Sequence, residues 1–186
     1  MKKTLVIAIA LLPIALPSLA ADKVLLSLPI VYSDETEVRD KIKDECSLEA
    51  VLAEQLEQQL TKRNKDGRGV VEEDKDTAGY AVMRVQIASA VGNGGGSWSG
   101  RKSMMVRAEL VEEGKETRTV EFRRATSGVP RFWTPFRSTC ALFRHVSKGL
   151  SKDLYNWAYN PKAKIENDPV EPAKAEPAVA EDVKAS

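Results

Sequence analysis

Tyr80-Ala81-Val82-Met83-Arg84-Val85-Gln86-Ile87-Ala88-Ser89-Ala90-Val91 alternates along its length, setting Ala81, Met83, Val85, Ile87 and Ser89 on one face and Arg84 and Gln86 on the other. A half-buried β-strand shows this pattern, because successive side chains leave opposite faces of a pleated chain. Lys102 to Val111 repeats it, with Met104, Val106, Ala108 and Leu110 inward and Arg107 and Glu109 outward. Thr117 to Arg124 forms a third such segment, carrying Val120 and Phe122 inward. Glu113-Gly114-Lys115 is a short hairpin turn between the last two, so the three segments predict an antiparallel meander.

Toward the amino terminus, Val24-Leu25-Leu26-Ser27-Leu28-Pro29-Ile30-Val31-Tyr32 is a nearly continuous apolar run with the length and branched content of a buried strand. Pro29 has no N–H to donate, so the strand is expected to be irregular there. A charged connector follows. Ser47 to Lys62 has helical spacing, with Leu48, Leu52, Leu56 and Leu60 on one stripe supported by Val51. Ser47 is a candidate N-cap, and Asp44 serves if the helix starts a turn earlier. Asp66-Gly67 closes the helix, Gly69 to Glu72 is a short strand, and Asp74 to Thr77 is a turn. A second helix runs from Thr134-Pro135 or Ser138 to about Tyr159, with Phe143, Val146, Leu150, Leu154 and Trp157 three and four residues apart. Gly149 weakens it and Pro161 ends it. The order β-α-β-β-β-β-α predicts an α+β fold: a single, mainly antiparallel sheet with two helices packed on one face and a more polar opposite face.

Residues 1–20 read as a secretory signal peptide: Lys2 and Lys3, the apolar run Leu5 to Leu12, then Ser18 and Ala20 at the small-residue cleavage positions. The competing reading is an uncleaved anchor, for which the apolar run is shorter than the roughly 20 residues a span needs. No Cys stands at the cleavage site to accept a lipid, and no later stretch is apolar enough to be transmembrane. The organisation expected is therefore a signal at 1–20, a domain at 21–160 and a disordered Ala/Pro/Glu/Lys tail at 161–186, in a protein exported in soluble form to the periplasm. Removing the first 20 of 186 residues leaves 166, enough for one domain with a core.

Export places Cys46 and Cys140 where disulfides persist, and only one intramolecular pairing exists. Closing a loop across 94 positions, that bond is worth roughly 4 kcal/mol in the chain-entropy model and would staple the amino-terminal ends of the two helices. Buried free thiols or a redox pair are the alternatives. The formal charge of +1 falls to −1 once Lys2 and Lys3 leave, so overall charge points to no partner. Its distribution is uneven. Asp34 to Glu57 carries nine carboxylates against Arg39, Lys41 and Lys43, whereas Arg118, Arg123, Arg124, Arg131, Arg137, Arg144, Lys148 and Lys152 face only Glu121. Either the two segments neutralise each other, or a basic face is available to an anionic envelope component.

No catalytic, cofactor-binding or metal-binding residue is predicted. The chain has one His, His145, beside Phe143, Arg144 and Val146 on the second helix, where a surface or boundary role fits better than catalysis. The stretch Gly92 to Ser103 mimics a P-loop, but Arg101 intrudes between Gly100 and Lys102 and a strand follows. It fails as a nucleophile elbow too, because Ser99 stands where a second Gly is needed after Trp98. A flexible hairpin loop is the plain reading; the sharper one is a recognition tip, with Trp98 beside Arg101 and Lys102. A second aromatic group, Phe132 and Trp133 with Phe136, lies between Arg131 and Arg137 and reads either as a core-covering loop or as part of a partner-binding surface. Compartment and near-neutral charge argue against nucleic acid.

The apolar opening strand Val24 to Tyr32, the helix Leu48 to Leu60 and the run Ala78-Gly79-Tyr80-Ala81-Val82-Met83-Arg84-Val85 together carry a resemblance. So do the Gly-rich insertion, Val106-Arg107-Ala108-Glu109-Leu110-Val111, the Gly turn and the closing helix. Over most of residues 22–159 this pattern resembles small α+β domains of bacterial envelope proteins, such as the amino-terminal domain of TolB and the curli-secretion lipoprotein domain. The chain departs from them in lacking a lipid-attachment Cys and a following propeller. The resemblance implies an accessory or assembly role: a non-enzymatic protein that binds an envelope protein or anionic envelope component. The alternative is an envelope-polymer hydrolase using carboxylates that the sequence does not pair. Oligomeric state is left open.

Overall fold

A computed structural model describes residues 21–72, 75, 77–92, 101–126, 138–163 and 167–168. Its elements are β1 Val24–Leu28, β2 Val31–Val38, α1 Asp40–Cys46, α2 Leu48–Arg63, β3 Val70–Glu72, β4 Ala81–Gly92, β5 Lys102–Val111, β6 Arg118–Ala125 and α3 Thr139–Tyr159. Residues 1–20, read above as a signal peptide, and most of 161–186, read as a tail, lie outside the described residues.

The strands form one mixed sheet in the order β3-β1-β4-β5-β6, with β2 also on β4. The expected meander is present: β4 pairs antiparallel with β5, and β5 with β6, over nearly their whole lengths. The parallel pairings of β1 with β3, β1 with β4 and β2 with β4 run only three or four residues each.

The apolar opening run is split where Pro29 removes a ladder donor. Leu26 pairs with Met83 and Val31 with Gln86, so β1 and β2 follow the same edge of β4 as one interrupted strand. The connector expected after Tyr32 is instead strand through Val38, then helix. Charge hid both elements, although Ile42 and Cys46 of α1 are buried and four residues apart, the spacing of one helix face.

Two helices therefore stand where one was expected, with Ser47 between them in the left-handed region at φ 43°. It holds the N-cap position of α2, as expected, but its side chain makes no cap hydrogen bond there. A second correction concerns β4. The register on β5 shifts between Ile87 and Ser89, which turns Ala90 and Gly92 inward and leaves Ser89 half-buried. The carbonyl of Ile87 at this irregularity accepts from Thr36 Oγ1 at 3.0 Å.

One face of the sheet packs on the helices: Leu26, Met83, Val85, Val106, Leu110 and Phe122 meet Leu52, Leu56, Leu60, Phe143, Leu150 and Leu154 in a single core. The helix α2 lies beside α3, and the contacts advance in step along both. Gln55 Nε2 donates to Arg144 O at 3.4 Å, Gln59 Nε2 to Ser151 Oγ at 2.9 Å, and Tyr159 hydroxyl to Asn64 Oδ1 at 3.2 Å. The pair is thus parallel. At its amino-terminal end the Cys46–Cys140 disulfide joins the corner between α1 and α2 to the first turn of α3. The bond forms as expected, at the amino-terminal ends of α2 and α3, with Cys46 also the last residue of α1.

At the other end sits Asn64, a buried amide. Its Nδ2 donates to Val24 O at 2.7 Å and Arg68 O at 2.6 Å, and its Oδ1 accepts from Val24 N at 3.4 Å and from Tyr159. After Tyr159 the chain turns at Asn160, whose backbone carbonyl accepts from Ala163 N. Asn167 and Asp168, assigned on composition to a disordered tail, are hydrogen-bonded to β6; residues 164–166 and 169–186 of that tail lie outside the described residues.

Two substitutions probe this packing. Replacing Asn64 by Ala strands backbone groups of Val24 and Arg68 and should lower stability in urea denaturation by about 3 kcal/mol. Gly149→Ala should raise it by roughly 0.5–1 kcal/mol, because a Cβ there meets only Arg124 Cγ and Cδ at 3.6 and 3.9 Å, ordinary contact distances.

Candidate functional site

The segments that hold the residues singled out as partner-binding are flanked by described residues at one end of the sheet. Gly92 of β4 and Lys102 of β5, between which Trp98 falls in the sequence, pair across the ladder. The segment bearing Phe132 and Trp133 joins β6 to α3. Their stems are tied together: Lys102 N donates to Thr126 Oγ1 at 3.0 Å and Thr126 N to Lys102 O at 2.9 Å. Trp98, Phe132 and Trp133 themselves lie outside the described residues.

Lys102 is not on an exposed tip. It is fully buried, in phase with Met104, Val106, Ala108 and Leu110 on the core face of β5. Burial, and secondarily the charge of Arg39, pulls its ammonium below the ordinary lysine range. Its stem runs so close to the backbone of Gly92 that a Cβ there would come within 2.8 Å of Lys102 Cδ and 3.3 Å of the Phe143 ring. Only glycine permits that approach. The alternation of β5, carried one step back from Met104, places Lys102 inward; its charge masked the signal. Arg101 is half-buried.

The basic segment divides into two groups. Arg118 donates to Trp157 O at 3.3 Å and Ala158 O at 2.8 Å and stacks over the Trp157 ring, satisfying carbonyls at the carboxyl end of α3 where a cation is favoured. Arg124 grips Asp153 with two hydrogen bonds, 2.6 and 2.9 Å. Arg144, Lys148 and Lys152 are exposed, one turn apart along α3, and make no ion pair among the described residues. The acidic segment spends its contacts locally, in Lys43–Asp40, Lys41–Glu45 and the hydroxyl of Tyr32 on Glu49. Among the described residues the two segments form no ion pair with each other.

Below the carboxyl ends of α2 and α3 an open groove of about 490 Å³ is lined by Arg63, Phe122, Asp153, Tyr155, Tyr159 and Asn160, among others. The Arg63 guanidinium lies 5.1 Å from the Tyr159 ring centre, and the Tyr155 and Tyr159 rings are 5.1 Å apart. Its carboxylate, Asp153, is held by Arg124. Burial, reinforced by Tyr155, pushes the Tyr159 phenol up to about 12. His145 is exposed on α3, next to the basic stripe.

A further cluster, missed in the sequence because its members are far apart, centres on Asp66. It accepts from Tyr80 hydroxyl, from Lys23 Nζ at 3.0 Å and from Arg68 N at 3.2 Å, which together hold its carboxyl well below the usual range. Lys23 and Arg68 also lie against the Tyr80 ring. The cluster fastens the start of β1 to the loop after α2.

No protein-family model and no curated protein sequence matches the chain. A PelC dodecamer from Paraburkholderia phytofirmans is 17% identical over 77% of this chain and 94% of that one, with a TM-score of 0.45. A minor lipoprotein from Acinetobacter baumannii is 15% identical over 76% and 92%, TM-score 0.39. Lipoprotein GNA1162 from Neisseria meningitidis is 13% identical over 72% and 99%, TM-score 0.31. Likeness of this degree is one of outline. These are not the TolB or curli-secretion domains that the sequence pattern resembles. No described helix is long and apolar enough to cross a membrane.

The raised Tyr159 phenol has a measurable consequence. The unfolded chain releases this proton near the ordinary value of 10, while the native state keeps it, so the native state binds more protons and stability falls as pH rises from 10 to about 12. Tyr159→Phe should flatten that part of the stability curve while losing about 1 kcal/mol at neutral pH from the bond to Asn64. Denaturant melts across alkaline pH check both; an unchanged alkaline slope would show that other groups carry it.

Proposed function

We propose that the chain is an exported, non-enzymatic protein of the bacterial envelope that binds a phosphate-bearing anionic lipid surface through the solvent face of α3. The observation that carries this reading is the stripe Arg144, Lys148 and Lys152, exposed and without an ion pair among the described residues. The neighbouring bases Arg118 and Arg124 are engaged by the fold. A stripe of three bases, each worth roughly 1 kcal/mol near an anionic membrane, supports reversible adsorption and falls far short of anchoring. The export signal supports the compartment. Gly92, Lys102 and Thr126, which flank the segments carrying Trp98 and Phe132-Trp133, lie at the end of the sheet where α3 begins, and aromatic side chains suit the polar–apolar boundary of such a surface. The hydrolase alternative needs an available carboxylate pair facing a cleft, and the groove's Asp153 is engaged by Arg124.

Co-sedimentation with phosphatidylglycerol-containing vesicles tests the proposal. The mature chain should bind these vesicles at low salt, release at high salt as the charges are screened, and ignore vesicles of phosphatidylcholine alone. Arg144→Glu/Lys148→Glu/Lys152→Glu should weaken binding by at least roughly 100-fold with its melting temperature nearly unchanged. Equal binding by this variant, or none by the unmodified chain, would refute the proposal.

A further inference from the structure

The strand β6 is the last in the sheet, so among the described residues one of its edges has no strand beside it. In an antiparallel ladder the backbone groups of alternate residues point to opposite sides. On the outward side of β6 they are met by two residues from beyond α3. Asn167 Oδ1 accepts from Arg123 N at 2.8 Å, and its Nδ2 donates to Glu121 O at 3.3 Å. Asp168 Oδ2 accepts from Ala125 N at 2.8 Å, and its own N–H donates to Arg123 O at 3.2 Å. Two residues thus occupy four edge groups that a whole strand would otherwise take. Pro169 follows directly, so no ladder donor is available at the next position.

We propose that Asn167–Asp168 is a removable cap on β6, and that the edge beneath it pairs antiparallel with β6 of a second copy of this chain. The occupant is argued from charge and register. A two-fold pairing centred on Phe122 sets Glu121 of each copy opposite Arg123 of the other, and both residues belong to the set whose backbone groups face outward. Registers centred on Glu121 or Arg123 put like charges face to face, which cross-strand pairing disfavours. Those centred on Val120 or Arg124 shorten the overlap. The present contacts of these side chains are weak: Glu121 meets Arg107 at 3.4 Å with both about half exposed, and Arg123 reaches Met105 Sδ. An exposed strand edge is a template for self-pairing, and proteins cover it where association must be controlled. This inference is independent of the basic stripe, which lies on α3.

Sedimentation velocity over a concentration series tests it on the full-length mature chain. Asn167→Ala/Asp168→Pro removes all four cap hydrogen bonds and should tighten dimerisation at least tenfold over the unmodified chain, with a cooperative thermal melt retained. Asn167→Ala/Asp168→Ala, which keeps the Asp168 N–H, should fall between the two. On the uncapped background Arg123→Glu should abolish the dimer, and adding Glu121→Arg should restore it by reversing both pairs. An uncapped chain no more dimeric than the unmodified one would overturn the proposal, as would a dimer indifferent to Arg123→Glu.

Discussion

The amide of Asn64 is the point on which the helix layer and the sheet depend together. It pairs with Val24 through both its donor and its acceptor, as a neighbouring strand residue would, while its acceptor also takes the hydroxyl of Tyr159. One buried side chain therefore joins the end of α2, the first residue of β1 and the last of α3. Burying an amide is tolerable only when its groups are satisfied, and here they are. With the Cys46–Cys140 bond at the opposite end, α2 and α3 are held parallel at both ends. The leucine stripe of α2 and the apolar face of α3 then meet one face of the sheet without freedom to slide.

That arrangement decides where the variable parts emerge. Lys102 and Thr126 are bonded to each other, so the points at which β5 begins and β6 ends are adjacent. Buried Lys102 belongs to this foundation, its stem laid against Gly92 and its ammonium in phase with the core face of β5. The opposite end, with its aromatic groove, is closed by interactions among Arg63, Tyr155 and Tyr159.

Charge is distributed by the same geometry. The acidic residues of α1 and α2 find partners a turn away or on β2. Two arginines of β6 reach α3, where Arg118 meets carboxyl-end carbonyls and Arg124 meets Asp153. What is left over, Arg144, Lys148 and Lys152, faces solvent because the opposite side of α3 is filled by Phe143, Val146, Leu150 and Leu154. An unbalanced surface stripe is a source of long-range attraction for anions, not of stability.

The meander, the two long helices and the possibility of the disulfide were legible in the sequence, because period-two and helical spacing and the cysteine count are local properties of the chain. Three features were not. The strand through Val38 and the helix Asp40–Cys46 are charged segments whose described burial is confined to a few positions, so composition outweighed spacing. The inward turn of Ala90 and Gly92 follows from a register shift that only the neighbouring strands impose. Asn64, Asp66 with Tyr80, and Asn167–Asp168 with β6 join residues far apart in the chain. An isolated Asn or Asp carries no mark of its future partner. Periodicity states which face of an element is apolar; which backbone groups are left unpaired, and which polar side chain comes to satisfy them, exists only once the elements are packed.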